Sequence, residues 1–573
     1  MSNNVYRTRK STVKKGILAG LVGLLLLILS ISLFFLYPFA SKEKVNYFSG
    51  DNPILYNGKQ EGNALLEGET IYLPLTFLKE KIDNYLVYDE KSQSIIMTTS
   101  SKVIQLPKDS LVYYRNQEPV QLTFSAMKSH HGELYLALPL VLENYEIQHS
   151  ILPDTKAIEM VKSEQKIVEG KIKAKNANEE KLRLRTEPKL QSPYTEQVIG
   201  NEEIKIENEN EGYYFVRKEN GIAGYIHKQY VEKGQTKTVE NKKAISEAVI
   251  PKFEGPIHLT WEAVYTKNPN PEVLPEMPGV NVVSPTWFEL SGMDGSLKNL
   301  ASLDYVNWAK KRGYQVWGLF SNAFDPDLTH ETFQYYETRQ AIIQQLLHYS
   351  QMYNLDGINI DIENVREEDG PFVTQFVREA TTYFHRAGLI VSMDITFMTT
   401  GNWSAFYERE KLAESVDYLI VMAYDEHWGS SQEAGSVASL PWVEENLQSL
   451  LEVVPNEKLI LGVPLYTRIW EEKTSGEISS KAMSMAEVKE WLTTNGVTPI
   501  YDEQSGQNYA ELTDPNTNST YRIWLEDDLS MSKRVDLALQ YELKGIASWS
   551  RSFADETAWL ALTLDSKPIA QNE

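Results

Sequence analysis

The stretch Asp356-Gly357-Ile358-Asn359-Ile360-Asp361-Ile362-Glu363-Asn364 decides the reading of this chain. Isoleucine alternates with polar residues, so in a strand Asn359, Asp361 and Glu363 share one face and Ile358, Ile360 and Ile362 share the other. Burying two carboxyls and an amide side by side is costly unless they bond to one another, so packing alone would not select them. The run is one of eight apolar, strand-like segments after Pro256: IHLTWEAVY, VNVVSPTWFEL, YQVWGLFSNAF, NLDGINIDIE, LIVSMDIT, DYLIVMAYD, KLILGVPLY and GIASWS. Amphipathic helical patterns lie between several of them, as at 331–350 and 372–387. Strand-then-helix units repeated eight times predict an α/β (β/α)8 TIM barrel over 256–565, with chemistry at the carboxyl ends of the strands. The polar face of the fourth run then points into the barrel. Residues 471–525, between the seventh and eighth runs, are too long for a loop and predict an inserted α+β lobe.

Two carboxyls that close cannot both ionise freely in a partly dry site, so one tends to hold a proton near neutral pH. Glu363, nearest the strand's carboxyl end, is the natural general acid, and Asp361 is placed to share a proton or orient a substrate group. Such a pair suits acid-catalysed acetal cleavage. The alternative is a satisfied interior polar network that serves packing alone.

Composition narrows the partners. Acids outnumber bases 79 to 56 for a net charge of −23, the wrong sign for steering toward nucleic-acid phosphates. With no cysteine, disulfide scaffolds, thiolate metal sites and cysteine nucleophiles are excluded. The chemistry read from the carboxyl pair needs no metal and no organic cofactor.

No residue from Gly16 through Ser41 is charged, and 17–39 is apolar enough to predict a transmembrane anchor. Arg7, Arg9, Lys10, Lys14 and Lys15 precede it, so 1–16 is expected to be a cytoplasmic tail and the remainder extracellular, on a single-pass cell-membrane protein. A cleaved signal peptide would have a shorter apolar region and a small residue where Pro38 stands.

Between anchor and barrel, small β-rich modules are expected. Over 45–162 one segment occurs twice: IYLPLTFLKEKIDNYLVYDEKSQSIIM from Ile71 aligns without a gap with LYLALPLVLENYEIQHSILPDTKAIEM from Leu134. Tyr72 matches Tyr135, Leu73 matches Leu136, Ile95 matches Ile158 and Met97 matches Met160. This duplicated α+β unit resembles the copper amine oxidase N-terminal-like domain of bacterial surface proteins. No metal-ligand pattern accompanies it: His130 and His131 are adjacent, poor spacing for one metal, and read as a solvated turn. Residues 168–232, with LRLRTEP and GIAGYIHKQYV bracketing alternating β patterns, resemble a bacterial SH3-like domain, either a wall-binding module or a spacer. The polar stretch 233–255 reads as a linker.

DGINIDIE resembles the DxxDxDxE signature of family 18 glycoside hydrolases, and with SPTWFEL, MAYDEHWG, LPWVEENL, LGVPLY and GIASWS the chain is similar to the branch of spore-cortex lytic N-acetylglucosaminidases. Asn359 stands where that signature has an acid, and an amide cannot share a proton with Asp361 as a carboxylic acid would. The resemblance implies substrate-assisted, retaining hydrolysis in which the sugar's acetamido oxygen attacks the anomeric carbon. It makes Glu363 the acid and then the base, Asp361 the group that orients the acetamido N–H, and Tyr424 the donor to its carbonyl. It also implies that Asn359, Met422, Asp425 and Trp549 contact the sugar, with Trp287 and Trp428 as further cleft residues. The expected partner is peptidoglycan at a Gram-positive type surface. Chitin or another N-acetylglucosamine oligomer is the alternative substrate, and a glycan-binding protein without turnover the alternative class.

Overall fold

The computed structural model describes residues 11–36, 40–162, 165–175, 177–239 and 250–564. Most of the expected cytoplasmic tail (1–10), the end of the expected anchor (37–39) and much of the expected linker (240–249) lie outside the described residues. Helix α1 covers Ser11–Leu36. Among the described residues no helix is long and apolar enough to cross a membrane. The described side chains of α1 span residues 16–32, all exposed, so the anchor expected over 17–39 extends beyond them.

The chain divides into two compact units, residues 1–82 with 128–245, and 83–127 with 246–573. In the first unit, the two copies of the repeat meet through an antiparallel pairing of Thr70–Pro74 with Glu133–Ala137, in which Leu73 lies opposite its own repeat-mate Leu136. Ile158–Lys162 of the second copy pairs in parallel with Pro53–Tyr56. Residues Lys166–Thr238 supply all seven strands of a separate sheet whose core holds Leu184, Val198, Ile204, Val216 and Ile226. His130 and His131 are exposed, and His131 turns the chain at φ 51°.

The second unit is built on a closed barrel of eight parallel strands: β1 (Ile257–Glu262), β2 (Val282–Leu290), β3 (Gln315–Ser321), β4 (Gly357–Asp361), β5 (Ile390–Ile395), β6 (Tyr418–Met422), β7 (Leu459–Pro464) and β8 (Gly545–Trp549). Pairing of β1 with both β8 and β2 closes the ring. All eight apolar runs are barrel strands. Ile358, Ile360 and Ile362 point outward into the helix layer, each completely buried and each worth about 1.5–3 kcal/mol of transfer free energy. The lower interior is filled by Ile257, Leu259, Trp261, Trp317, Leu319, Ile420 and Ile460. Gly357 opens β4 because a Cβ there would lie 2.7 Å from the Ile390 carbonyl oxygen and 2.8 Å from the Trp317 ring. Asp356, just before it, accepts from the Val316 N–H at 2.8 Å and from Lys310 Nζ at 2.5 Å, fixing where β4 starts against β3.

The lobe between β7 and β8 is a five-stranded antiparallel sheet with helix Met485–Asn495. It starts at Tyr466 rather than 471, because only Leu465 separates the end of β7 from its first strand.

A second five-stranded antiparallel sheet, from Val87–Asp89 to Glu118–Gln121, also belongs to the barrel unit although it is cut from the middle of the repeat. It packs against helices α2 (Tyr336–Tyr353) and α3 (Gly370–Arg386), and its Ile96 and Val103 join the barrel's main apolar cluster. Gln375 Nε2 donates to Thr98 Oγ1 at 3.1 Å, Thr382 Oγ1 to the Thr99 carbonyl at 2.8 Å, and Arg378 lies 3.7 Å over the Tyr85 ring. Tyr335, the N-cap of α2, offers no side-chain cap, and the Tyr336 N–H donates instead to Asp89 Oδ2 at 2.6 Å. Asp89→Ala strands that buried donor and should destabilise the barrel unit by about 1–3 kcal/mol, read as a lower denaturant midpoint with an unchanged slope. An unchanged midpoint would show that the sheet contributes no cap to α2.

Candidate active site

The carboxyl end of β4 carries the chemistry because alternation turns Asn359 and Asp361 inward while the isoleucines anchor the strand from outside. Asn359 is fully buried. Its Oδ1 accepts from Trp261 Nε1 and Ser284 Oγ, both at 2.9 Å, and its Nδ2 donates to Asp394 Oδ1 at 2.8 Å. Fully buried and with both ends of its amide bonded, Asn359, expected to contact the sugar, has no exposed surface.

Asp361, one layer higher, is 7% exposed and its Oδ1 has no hydrogen-bond partner among the described residues. Burial pushes its carboxyl up to about 7. Glu363, two residues beyond the strand, is half-buried. Burial holds its carboxyl well above the ordinary glutamate range, and the neighbouring charges of Asp361 and Asp425 add to that. The Tyr424 phenol is likewise raised by burial, with Tyr466, Asp394, Glu363 and Asp361 contributing in that order. Glu363, Asp361 and Tyr424 therefore lie within electrostatic reach of one another, with an acid held above its ordinary range near a partly buried phenol.

Met422 ends β6, half-buried and on the same side as Tyr424. Asp425 follows at φ 62° and its Oδ1 accepts from the Tyr466 hydroxyl. Trp549 ends β8, half-buried, with its ring 5.9 Å from Trp261. Trp428, in the segment after β6, is 55% exposed and donates to Ser430 Oγ at 2.9 Å.

Trp287 is not in the cleft. It is 1% exposed, donates to Asn268 Oδ1 at 2.7 Å and packs against Tyr305 and Tyr353 in the helix layer. The cause is a bulge: the pairing of β2 with β3 shifts between Thr286 and Phe288, so strand alternation no longer fixes its side.

Three residues escaped the sequence reading. Asp394 on β5 is 1% exposed and its carboxyl is held well above the aspartate range, by burial first and by Asp361 second. A lone acid inside the apolar run LIVSMDIT was its only signal. Asn322, just after β3, clamps the acid's backbone: the Glu363 N–H donates to its Oδ1 at 3.1 Å and its Nδ2 donates to the Glu363 carbonyl at 2.8 Å. Tyr407, buried, donates to the Ile362 carbonyl at 2.8 Å, and burial raises its phenol with the charges of Glu363 and Asp361 adding to that. Neither had a local sequence signal.

With this geometry in place, comparison with known proteins gives two family matches: glycosyl hydrolases family 18 over residues 321–554, and the copper amine oxidase N-terminal domain over residues 55–160. The barrel is a family 18 glycoside hydrolase domain. The chain is 25% identical over 286 residues to the uncharacterized glycosylase YvbX of Bacillus subtilis (strain 168), covering 48% of this chain and 81% of that protein. It is 25% identical over 254 residues to the cortical fragment-lytic enzyme of the same organism, covering 43% of this chain and 58% of that enzyme. Among solved structures, the spore cortex-lytic enzyme SleL of Bacillus megaterium QM B1551 matches with a TM-score of 0.49 and 20% identity, over 58% of this chain and 77% of that one. The chain thus spans about four fifths of one of these curated relatives and little more than half of the other.

Asn322→Ala removes both bonds that fix the Glu363 backbone. Because a displacement of about 1 Å can cost about 10²-fold in rate, kcat should fall by that order on an N-acetylglucosamine polymer while the fold still melts cooperatively. A rate within a factor of about two of wild type would show that the clamp does not position the acid.

Proposed function

We propose that this chain is a membrane-anchored extracellular hydrolase that cleaves β-1,4 bonds next to N-acetylglucosamine in peptidoglycan, with retention of configuration. The observation that carries the reading is the placement of Glu363 just past the carboxyl end of β4, its carboxyl held above the ordinary range by burial and by the charges of Asp361 and Asp425, within electrostatic reach of Asp361 and Tyr424 at the mouth of a family 18 barrel. In the first step the substrate's acetamido oxygen attacks the anomeric carbon, the glycosidic C–O bond breaks and Glu363 gives its proton to the departing oxygen. Asp361 orients the acetamido N–H and Tyr424 donates to its carbonyl. In the second, Glu363 takes a proton from water, which opens the cyclic intermediate on the face from which the leaving group departed. Met422, Asp425, Trp549 and Trp428 would contact the sugars.

The similarity to a cortical fragment-lytic enzyme supports peptidoglycan as the polymer. The uncharged run from Gly16 through Ser41, preceded by Arg7, Arg9, Lys10, Lys14 and Lys15, supports a single-pass anchor with the N-terminus in the cytoplasm. The seven-stranded sheet drawing on Lys166–Thr238 supports reading 168–232 as an SH3-like module that binds wall or spaces the barrel from the membrane.

The deciding measurement is muropeptide release from purified peptidoglycan by the full chain and by Glu363→Gln. New reducing ends at N-acetylglucosamine are expected from wild type alone. Release from neither, with binding retained, would favour a glycan-binding protein; release from chitin oligomers but not from peptidoglycan would favour the chitinase-type substrate. Since the acid must be protonated and its carboxyl lies well above the usual 4.5, the basic limb of the rate should lie well above that value. A basic limb near 4.5 would remove Glu363 from that role.

Beside Glu363, Phe324 is 40% exposed and Trp403 52%, with ring centres 6.3 Å apart. They flank the β4 terminus: Asn364 Nδ2 donates to the Phe324 carbonyl at 2.9 Å and the Val365 N–H to the Asn402 carbonyl at 2.8 Å. Trp403→Ala should raise KM for polymer about tenfold and leave a disaccharide substrate nearly unchanged. Equal effects on both would place Trp403 outside the extended cleft.

A further inference from the structure

The mechanism above makes no use of Asp394, yet the interior of the barrel is organised around it. Trp261 Nε1 and Ser284 Oγ both donate to Asn359 Oδ1, which decides which end of that amide is oxygen. Its Nδ2 is thereby turned to Asp394 Oδ1 at 2.8 Å, and its oxygen has no lone pair left for a third donor. Along β4 and β5, Asn359 pairs with Ser392 and Ile360 with Met393, so one step further Asp361 and Asp394 stand side by side. Both are inward-facing and both are buried. Asp361 Oδ1 has no hydrogen-bond partner among the described residues.

Among the described residues no ion pair joins Asp394 to a cation. Facing it are the carboxyls of Asp361 and Glu363 from β4 and its end, the Tyr424 phenol beyond β6, the Tyr407 phenol from the segment after β5, and the neutral Trp261 indole from β1. Arg409 lies 5.2 Å over the Tyr407 ring, and its bonds go to the Thr396, Phe397 and Tyr407 carbonyls and to Ser404 Oγ rather than to Asp394. Adjacent carboxyls in a dry pocket without a counter-charge titrate as a pair.

We propose that Asp394 is a positioning residue of the hydrolytic site: the proton that Asn359 cannot carry is shared between Asp394 and Asp361, and that sharing fixes the form in which Asp361 meets the substrate's acetamido group and faces Glu363. The acid absent from the middle of the β4 signature is supplied by the next strand. The proposal rests on the hydrolase reading above for its kinetic consequence, but not for its electrostatic one.

The test uses the full chain, its Asp394→Asn variant, and the exchange Asn359→Asp with Asp394→Asn. In the exchange, the new aspartate still accepts from Trp261 and Ser284 and the new amide donates back to it, so the hydrogen-bond count is preserved while the acid moves between strands. Removing the acid should move the basic limb of kcat/KM on peptidoglycan to lower pH by about one unit, and the exchange should return it. A limb that stays in place in Asp394→Asn, with kcat lost only in step with the melting temperature, would reduce Asp394 to a structural role. A well-folded exchange variant that fails to restore the limb would overturn the proposal as well.

Thermal melts give a readout that needs no turnover. A carboxyl raised in the folded state contributes stability that is present below its unfolded value and is lost as pH rises toward the folded one. For this pair the window opens near 3.8 and, for Asp361, closes near 7. The melting temperature of Asp394→Asn relative to wild type should therefore climb between pH 4 and pH 7. A difference constant over that window would overturn the shared proton even if wild type proved inactive, and absence of hydrolysis with the climb intact would sink the activity reading alone.

Discussion

The site depends on the cost of placing acids where water is scarce and no cation waits for them. Asp361, Asp394 and Glu363 all have carboxyls held above their ordinary range, and burial leads the causes in each case. The barrel tolerates this because its lower half is an ordinary apolar plug and its outer face is pinned by Ile358, Ile360 and Ile362. Stability supplied below and outside holds reactive groups above in a state they would not adopt in water. The same strand provides both halves of the bargain, its isoleucines on one side and its acids on the other.

Much of this was legible because strand alternation is a strict rule. The run at 356–364 alone assigned faces, depth and the acid nearest the rim, and its eight-fold context assigned the barrel. The rule failed where the strand itself departs from regularity. Trp287 reads as a cleft residue from its rim position, but the bulge at Thr286/Phe288 turns it to the helices. Asn359 reads as a ligand by kinship with Asp361, yet it lies a layer deeper and both ends of its amide are taken. Asp394 was passed over because one acid in an apolar run has no partner in its own segment; its partners stand on β4 and β1. Asn322 and Tyr407 act through the backbone of residues some forty positions away, and nothing local announces that.

The repeat teaches a related lesson about what an alignment reports. Ile95 and Met97 match Ile158 and Met160 as buried strand residues, and both pairs are buried. The second copy's strand pairs in parallel with Pro53–Tyr56, whereas the first copy's strand, Ser94–Thr98, lies in the sheet that packs on α2 and α3. Alternation records that a face is covered and is silent about what covers it.

That sheet also changes how the chain is wired. Residues 83–127 fold with 246–573, while the segments on either side of them fold with 128–245. The backbone passes between the two units three times, near 82, near 127 and near 245. A protease that nicks the connection near 245 therefore leaves the barrel on its leash, because two uncut crossings remain. Separating the two units would take three cuts, or one cut and the unfolding of a docked sheet.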